Sequence, residues 1–194
     1  ELKRKLYHLF LQKCSSQVVI IDSSTGIKLK KNYLTIKEYK KKLKIVYFKV
    51  STNVHFSQKL YKGSKYSKTK YTVMTFDDDY LNLVAVKKGK SFLEQNSGYT
   101  NASGHILNHI RGKRKQPSRL PILGKSDIFN DDHPISRCEN FLNSKRKRNP
   151  LFNLWETKLL QKMLEPLSKT RWTKYSETLF DYVAVASGKS KFID

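Results

Sequence analysis

Lysines interleaved with tyrosines form the densest chemically capable pattern in this sequence of 194 residues. Lys59, Lys62, Lys65, Lys68 and Lys70 alternate with Tyr61, Tyr66 and Tyr71. Ammonium groups neutralise phosphates and rings stack on bases, so the spacing suits a nucleic-acid strand. Further basic clusters lie at Lys37 to Lys44, Arg111 to Lys115 and Lys145 to Arg148. Acidic residues offer a different chemistry. Asp77-Asp78-Asp79 and Asp131-Asp132-His133 carry hard oxygen ligands of the kind a Mg²⁺-dependent nuclease uses. Neighbouring carboxylates on a strand point to opposite faces, so each run reads first as an Asp-rich turn. His105 and His109, at i and i+4, share a face only in a helix, and Gly104 and Gly112 oppose one there. No GxSxG, P-loop or HExxH pattern occurs, so the expectation is no catalytic residue, no metal site and no cofactor.

The charge balance points the same way as the clusters. Lys plus Arg number 39 against 16 Asp plus Glu, a formal net charge of +23 at pH 7. A compact chain carrying that excess repels itself unless a polyanion binds it. The 38% hydrophobic content is too high for a wholly disordered tail. Arginines are few beside lysines, and Ile, Asn, Tyr and Phe are abundant, as an A+T-rich organellar or parasite genome would encode. Cys14 and Cys138 are far apart and form neither a CxxC half-site nor a disulfide framework. No apolar run reaches the roughly 18 residues of a membrane span, and no signal peptide is visible, so no membrane partner is expected.

The elements that must carry these residues read as an α+β chain in three parts. Residues 1–97 read as mostly β after a basic amphipathic helix over 1–13, which puts Leu2, Leu6, Leu9 and Phe10 on one face. Strands are expected at Gln17 to Asp22 and Ile27 to Leu34, as a hairpin, then at Lys42 to Val50, Tyr71 to Phe76 and Tyr80 to Val86. Residues 98–148, rich in Gly, Asn, Pro and basic residues, read as an extended RNA-contacting segment. Residues 149–194 read as a small α+β module. Its helix is capped by Asn153, with Glu156 at N3, carries Leu159, Leu160, Met163 and Leu167, and ends at Pro166. A hairpin of Tyr182 to Ala186 and Lys189 to Ile193 turns at Ser187-Gly188.

Motif order in this last part resembles the universal small-subunit ribosomal protein number nineteen. Lys147-Arg148-Asn149-Pro150-Leu151-Phe152 is similar to that family's basic Gly-Pro-Phe opening, and Leu159-Leu160-Gln161-Lys162 to its helix pattern. Arg171-Trp172-Thr173-Lys174-Tyr175-Ser176 resembles its tryptophan run, Leu179-Phe180-Asp181-Tyr182-Val183 the segment after it, and Ala184 to Lys189 its Asn-Gly hairpin. A second resemblance lies in the middle. Lys88-Gly89-Lys90, Phe92-Leu93-Glu94 and Ser97 to Ile106, with His109, Gly112, Lys115, Arg119 and Ile122, are similar to the amino-terminal half of large-subunit ribosomal protein number two.

Both resemblances imply a structural constituent of a ribosome, with the small-subunit head preferred and the mitochondrion as its compartment. Its partners would be ribosomal RNA and neighbouring ribosomal proteins, with no small-molecule substrate and no catalysis. The residues assigned to rRNA are Lys59, Lys62, Lys65, Lys68, Arg111, Lys113, Arg114, Lys115, Arg119, Lys145, Arg146, Lys147, Arg148, Arg171, Trp172, Lys174, Lys189 and Lys191. Trp155, Leu159, Met163 and Val183 would pack the core. The alternatives are a fragment of large-subunit ribosomal protein number two, a metal-dependent nuclease and a basic nucleoid protein. On the ribosomal reading, engagement of six to ten phosphates makes rRNA affinity fall by roughly a thousandfold to a hundred-thousandfold between 50 and 200 mM salt. A filter-binding titration at both salts checks this, and a flat profile rejects it.

Overall fold

The computed structural model describes residues 1–76, 79–104, 106–107, 122–123, 129–144, 150–170 and 173–193. The amphipathic start forms α1 (Leu2–Leu11), whose Leu6 and Leu9 are buried against Tyr39 and Leu43, while Phe10 stays on the surface under the Lys42 ammonium. β1 (Gln17–Asp22) falls where its apolar run predicts it. The strand expected at Ile27 to Leu34 is instead the middle of helix α2 (Gly26–Tyr39), and β2 (Lys44–Lys49) follows. β1 and β2 pair in parallel, from Gln17 opposite Lys44 to Asp22 opposite Lys49. Parallel neighbours cannot be joined by a tight turn, so the intervening residues must cross over, and a helix is the usual way. Ile36 and Tyr39 supply its buried side, whereas Ile27 and Leu34, which suggested a strand, are exposed.

α3 (Phe56–Lys65) leads to β3 (Tyr71–Val73), which is shorter than the six residues expected from the alternating pattern. The expected strand at Tyr80 to Val86 is overturned by α4 (Leu83–Gln95). Asn82 caps it by accepting from the Val84 and Ala85 amides, at 2.9 and 3.4 Å, so the β-branched run that follows enters a helix. Gly89 lets α4 settle on the sheet below, since a Cβ there would lie 3.3 Å from the Ala102 Cβ and 3.4 Å from Leu154 Cδ2. Residues 1–97 are therefore mainly helical rather than mostly β.

The segment expected to be extended contains β4 (Tyr99–Ser103), β5 (Ile106–Leu107), antiparallel to β6 (Ile122–Leu123), and α5 (Pro134–Asn143). Beyond it, a 3₁₀ turn at Pro150–Phe152 precedes β7 (Leu154–Glu156), α6 (Thr157–Leu167), α7 (Thr173–Ser187) and β8 (Lys189–Phe192). The apolar spacing of α6 is as expected, but the helix starts later. Leu154 to Glu156 pair in the sheet, Glu156 takes the N-cap position, and Asn153 donates to the Asn101 side chain. The C-terminal hairpin does not form. Tyr182 to Ala186 lie inside α7, because Phe180 and Ala184, one helical turn apart, complete the core made by Trp155, Leu160, Met163, Leu164 and Leu167. Leu159 and Val183 are partly buried against the same core.

One mixed sheet, in the order β3-β7-β4-β8, joins all three expected parts. β7 runs antiparallel to β3 and β4, and β8 parallel to β4. Boundaries at 97 and 148 thus cut through a single sheet. Trp155 at its centre is fully buried and donates Nε1–H to the Pro150 carbonyl at 2.8 Å. Among the described residues, no helix is long and apolar enough to cross a membrane.

Buried Arg137 of α5 fastens the end of α7. Its guanidinium donates to the carbonyls of Val185 (2.8 Å), Ala186 (2.8 Å), Asp131 (2.6 Å) and Asp132 (3.0 Å), satisfying helix-end carbonyls that have no intrahelical donor. Arg137→Met removes the donors and leaves the acceptors, at a cost of roughly 2–4 kcal/mol. A lower urea midpoint with an unchanged slope is the expected result.

Candidate functional site

Open sheets with parallel strands and crossover helices present ligand sites at the carboxyl ends of their strands. At that end of β1 stands Asp22, a buried carboxylate. It accepts from the Ser24 amide at 2.7 Å, the Asn32 side chain at 3.2 Å and the Tyr47 hydroxyl at 3.3 Å. Asn32 also reaches the Ser24 hydroxyl at 3.2 Å, so α2 and β2 both hold the turn that leaves β1. Burial works to raise the Asp22 pKa, but the hydrogen bonds from Ser24, Asn32 and Tyr47 together outweigh it and hold the carboxyl below its ordinary value. Tyr47 is shifted the other way, upward, first by burial and then by the Asp22 charge.

A second acidic element follows the strand that begins with β3. The Phe76 amide donates to the Asp79 carboxylate at 3.0 Å, and the Asp79 amide donates back to the Phe76 carbonyl at 3.3 Å, closing a turn. Asp77 and Asp78 lie outside the described residues. One face of α1 grips both sides of this turn. Lys5 donates to the Thr75 hydroxyl at 2.8 Å and to the Phe76 carbonyl, His8 Nε2–H meets the Leu81 carbonyl at 3.0 Å, and Gln12 donates to the same carbonyl at 2.7 Å. The Gln12 carbonyl in turn accepts the Leu83 amide at 2.8 Å. Lys5 and His8 lie one turn apart on α1 and Gln12 is its C-cap, so one helix and its end fix the whole loop.

The first turn of α3 brings the two acidic ends together. Phe56 packs against the Phe76 ring with centroids 5.2 Å apart, while Lys59, one turn along, donates to the Ser23 hydroxyl at 2.8 Å. Asp22, Ser23, Ser24, Phe56, Lys59 and Phe76 all line one groove of about 1210 Å³. Its upper end therefore combines an ionised carboxylate, two serines and a lysine, and Phe76 on its wall begins the turn closed by Asp79. Such an end can accept hydrogen bonds from a polar ligand, and its hard oxygens suit a divalent cation that carries phosphate.

Of the residues expected to contact RNA, Lys62, Lys65 and Lys68 are exposed on or just after α3, with the Lys65 ammonium 5.4 Å from the Tyr61 ring centre. Lys59 is turned instead toward Ser23. Lys189 and Lys191 lie on β8 rather than in a hairpin. Lys189 is ion-paired to Asp132, whose pKa falls chiefly through that hydrogen bond and then through the Lys189 charge, and Lys191 lies over the Phe92 ring. Arg111, Lys113, Arg114, Lys115, Arg119, Lys145, Arg146, Lys147, Arg148, Arg171, Trp172, and the side chain of Lys174, lie outside the described residues, as do His105 and His109. Asp131-Asp132-His133 lead into α5: the Asp131 carboxylate accepts from Asn140 at 2.8 Å and His133 takes the N-cap position. Among the described residues, no three His, Cys, Asp or Glu side chains cluster as metal ligands. Sequence reasoning missed Asp22, Asn32, Tyr47 and the grip of α1. The available signal was a carboxylate ending a continuous apolar run, the mark of a buried parallel strand.

Because the folded pKa of Asp22 is depressed, its contribution to stability is full above the ordinary value of 3.8 and is lost as pH falls through the lower folded value. Asp22→Asn should leave the protein less stable at neutral pH and flatten its decline in acid. Urea midpoints measured between about pH 6 and pH 2 check the change of slope.

No protein-family model and no curated protein sequence matches this chain. Among solved structures, the chain is similar to the crystal structure of S. aureus TarS 1-349, with a TM-score of 0.71 at 15% identity. The superposition covers 100% of this chain and 54% of that one, so the chain spans about half the length of its structural neighbour. TarS is a glycosyltransferase, and at 15% identity the likeness bears on the fold. The chain has a mixed α+β fold of the kind found in that structure.

Proposed function

We propose that this chain forms the nucleotide-sugar-binding part of a glycosyltransferase. The observation that carries the reading is the placement of Asp22, Ser23, Ser24 and Lys59 at the end of one groove, beside Phe76 where the Asp79 turn begins, in a fold similar to that of TarS. In glycosyl transfer, the bond between the anomeric carbon and the donor's phosphate oxygen breaks, a bond to an acceptor hydroxyl oxygen forms, and a nucleoside diphosphate leaves. Asp22, ionised and rigidly held, accepts hydrogen bonds from the nucleoside, and Lys59 beside Ser23 offers a cation to the diphosphate. The carboxylates of Asp77, Asp78 and Asp79 are hard oxygen donors suited to Mg²⁺ or Mn²⁺. Such a cation, when bound, would neutralise the charge that develops on the leaving diphosphate. α1 keeps the loop in place through Lys5, His8 and Gln12, so the donor meets a preformed site.

A second reading keeps the chain as an rRNA-binding constituent of a mitochondrial ribosome, favoured by the net charge of +23 and the exposed Lys62, Lys65 and Lys68, of which Lys65 lies beside Tyr61. One pair of titrations separates the two. Calorimetry with a panel of nucleoside-diphosphate sugars and Mn²⁺ should show binding to one nucleotide class, weakened at least about tenfold, roughly 1.4 kcal/mol, by Asp79→Asn and by Asp22→Asn. No binding to any member of the panel, together with tight and steeply salt-dependent rRNA binding, would replace the glycosyltransferase reading with the ribosomal one.

A further inference from the structure

The lower part of the same groove is bounded by two strand edges. β1 pairs with β2 alone and β3 with β7 alone among the described residues, and their other edges face each other across the groove. Consecutive residues of both segments line it, 19–24 on one side and 69–76 on the other. A strand that shows a face to a cavity contributes alternate residues, whereas one that shows an edge contributes a continuous run.

Two departures from sequence expectation fit the same explanation. The run Val18-Val19-Ile20-Ile21 is apolar at every position, the pattern of a central strand covered on both faces and paired on both sides, yet all four residues are half-buried and the strand is at an edge. The alternating pattern that begins at Tyr71 continues to Phe76, yet pairing stops at Val73, because β7 reaches no further. Both strands have the sequence of a sheet interior and the position of a sheet margin. Exposed apolar edges of this kind recruit another strand.

We infer that the groove is a strand position, filled by an extended apolar segment that runs into α1 and joins β1 to residues 71–76, making the two sheets one. Glu1, Leu2 and Lys3 form part of the groove wall, so a strand lying there delivers its end to the start of α1. A second copy of the chain is a poorer donor, because its apolar strands β1 and β2 are already paired with each other. The inference concerns the sheet and does not depend on nucleotide binding.

The test attaches Ile-Val-Ile-Val-Ile, through Gly-Ser-Gly, ahead of Glu1, with a control in which the second and fourth residues of the added segment are Pro and so cannot donate to a ladder. Hydrogen exchange should slow at least about tenfold at amides 18–21 and 72–76 in the first chain and not in the control. In a Met74→Cys background with Cys14 and Cys138 changed to Ser, thiol labelling at position 74 should slow likewise, a readout that survives if the added strand lowers solubility for exchange work. Equal exchange and labelling in the two chains overturns the inference. So does protection that appears only with dimerisation, or one that the free pentapeptide gives equally well, since either places the strand's source outside the segment leading into α1.

Discussion

The three-residue strand β7 is the constraint on which the rest of the molecule depends. Leu154 to Glu156 pair with β3 on one side and β4 on the other, so segments far apart in sequence are fixed by one short ladder. Three residues of backbone pairing are too few to hold a sheet by themselves, and the side chains supply the remainder. Trp155 is fully buried against Phe180 and satisfies its indole N–H at Pro150, while Leu154 fills the opposite side beneath α4 with Leu93 and Ala102. Burying a side chain of that size on the central strand is worth several CH₂ equivalents of apolar transfer, more than the net gain of the strand's own hydrogen bonds.

From that strand outward, the acidic loop is located by two independent ties. β3 is fixed by β7, and the chain beyond it is held from above by Lys5, His8 and Gln12. α1 is itself anchored by Leu6 and Leu9 against Tyr39 and Leu43 at the end of α2, which in turn carries Asn32 to Asp22. The strand-end carboxylate and the acidic turn are thus coupled through a contiguous set of packed helices, although one ends β1 and the other lies beyond β3, strands of different sheets. A site built this way gains order from its supports and does not depend on a dense local core.

The legible parts of this fold were those decided locally. β1 matches its run of Val and Ile to the residue, β2 lies within its expected range, and the buried face of α6 carries Leu160, Met163 and Leu167 of the expected spacing. The misread parts were decided by partners distant in sequence. Ile27 to Leu34 has the composition of a strand but must cross between parallel neighbours, and Tyr182 to Ala186 has β-branched residues but places Phe180 and Ala184 on one core-facing side. Leu154 to Glu156 follows a good helix cap at Asn153, yet both of its edges are wanted by strands. For the site, the run at Asp77 to Asp79 was visible as hard-ligand chemistry, but Asp22 was not, since its importance comes from Tyr47 and Asn32, which only folding brings near.

The net charge of +23 is compatible with either reading of function, and its distribution matters more than its size. On α3 the lysines fall into two classes set by helix geometry. Lys59 faces the groove and is held by Ser23, where it can meet a single diphosphate, whereas Lys62 and Lys65 point to solvent. A charge in a groove walled by low-dielectric side chains acts on a bound anion far more strongly than the same charge in water, while the exposed pair is screened within about 8–10 Å at physiological salt. A few positioned cations can therefore govern binding of a small anion even where many more lysines lie outside, and the outer set then serves chiefly to raise the local concentration of anionic ligands. Discrimination between a nucleotide-sugar site and an RNA-binding surface accordingly rests on which class of lysine controls affinity, the one beside Ser23 or those along the outer face of α3.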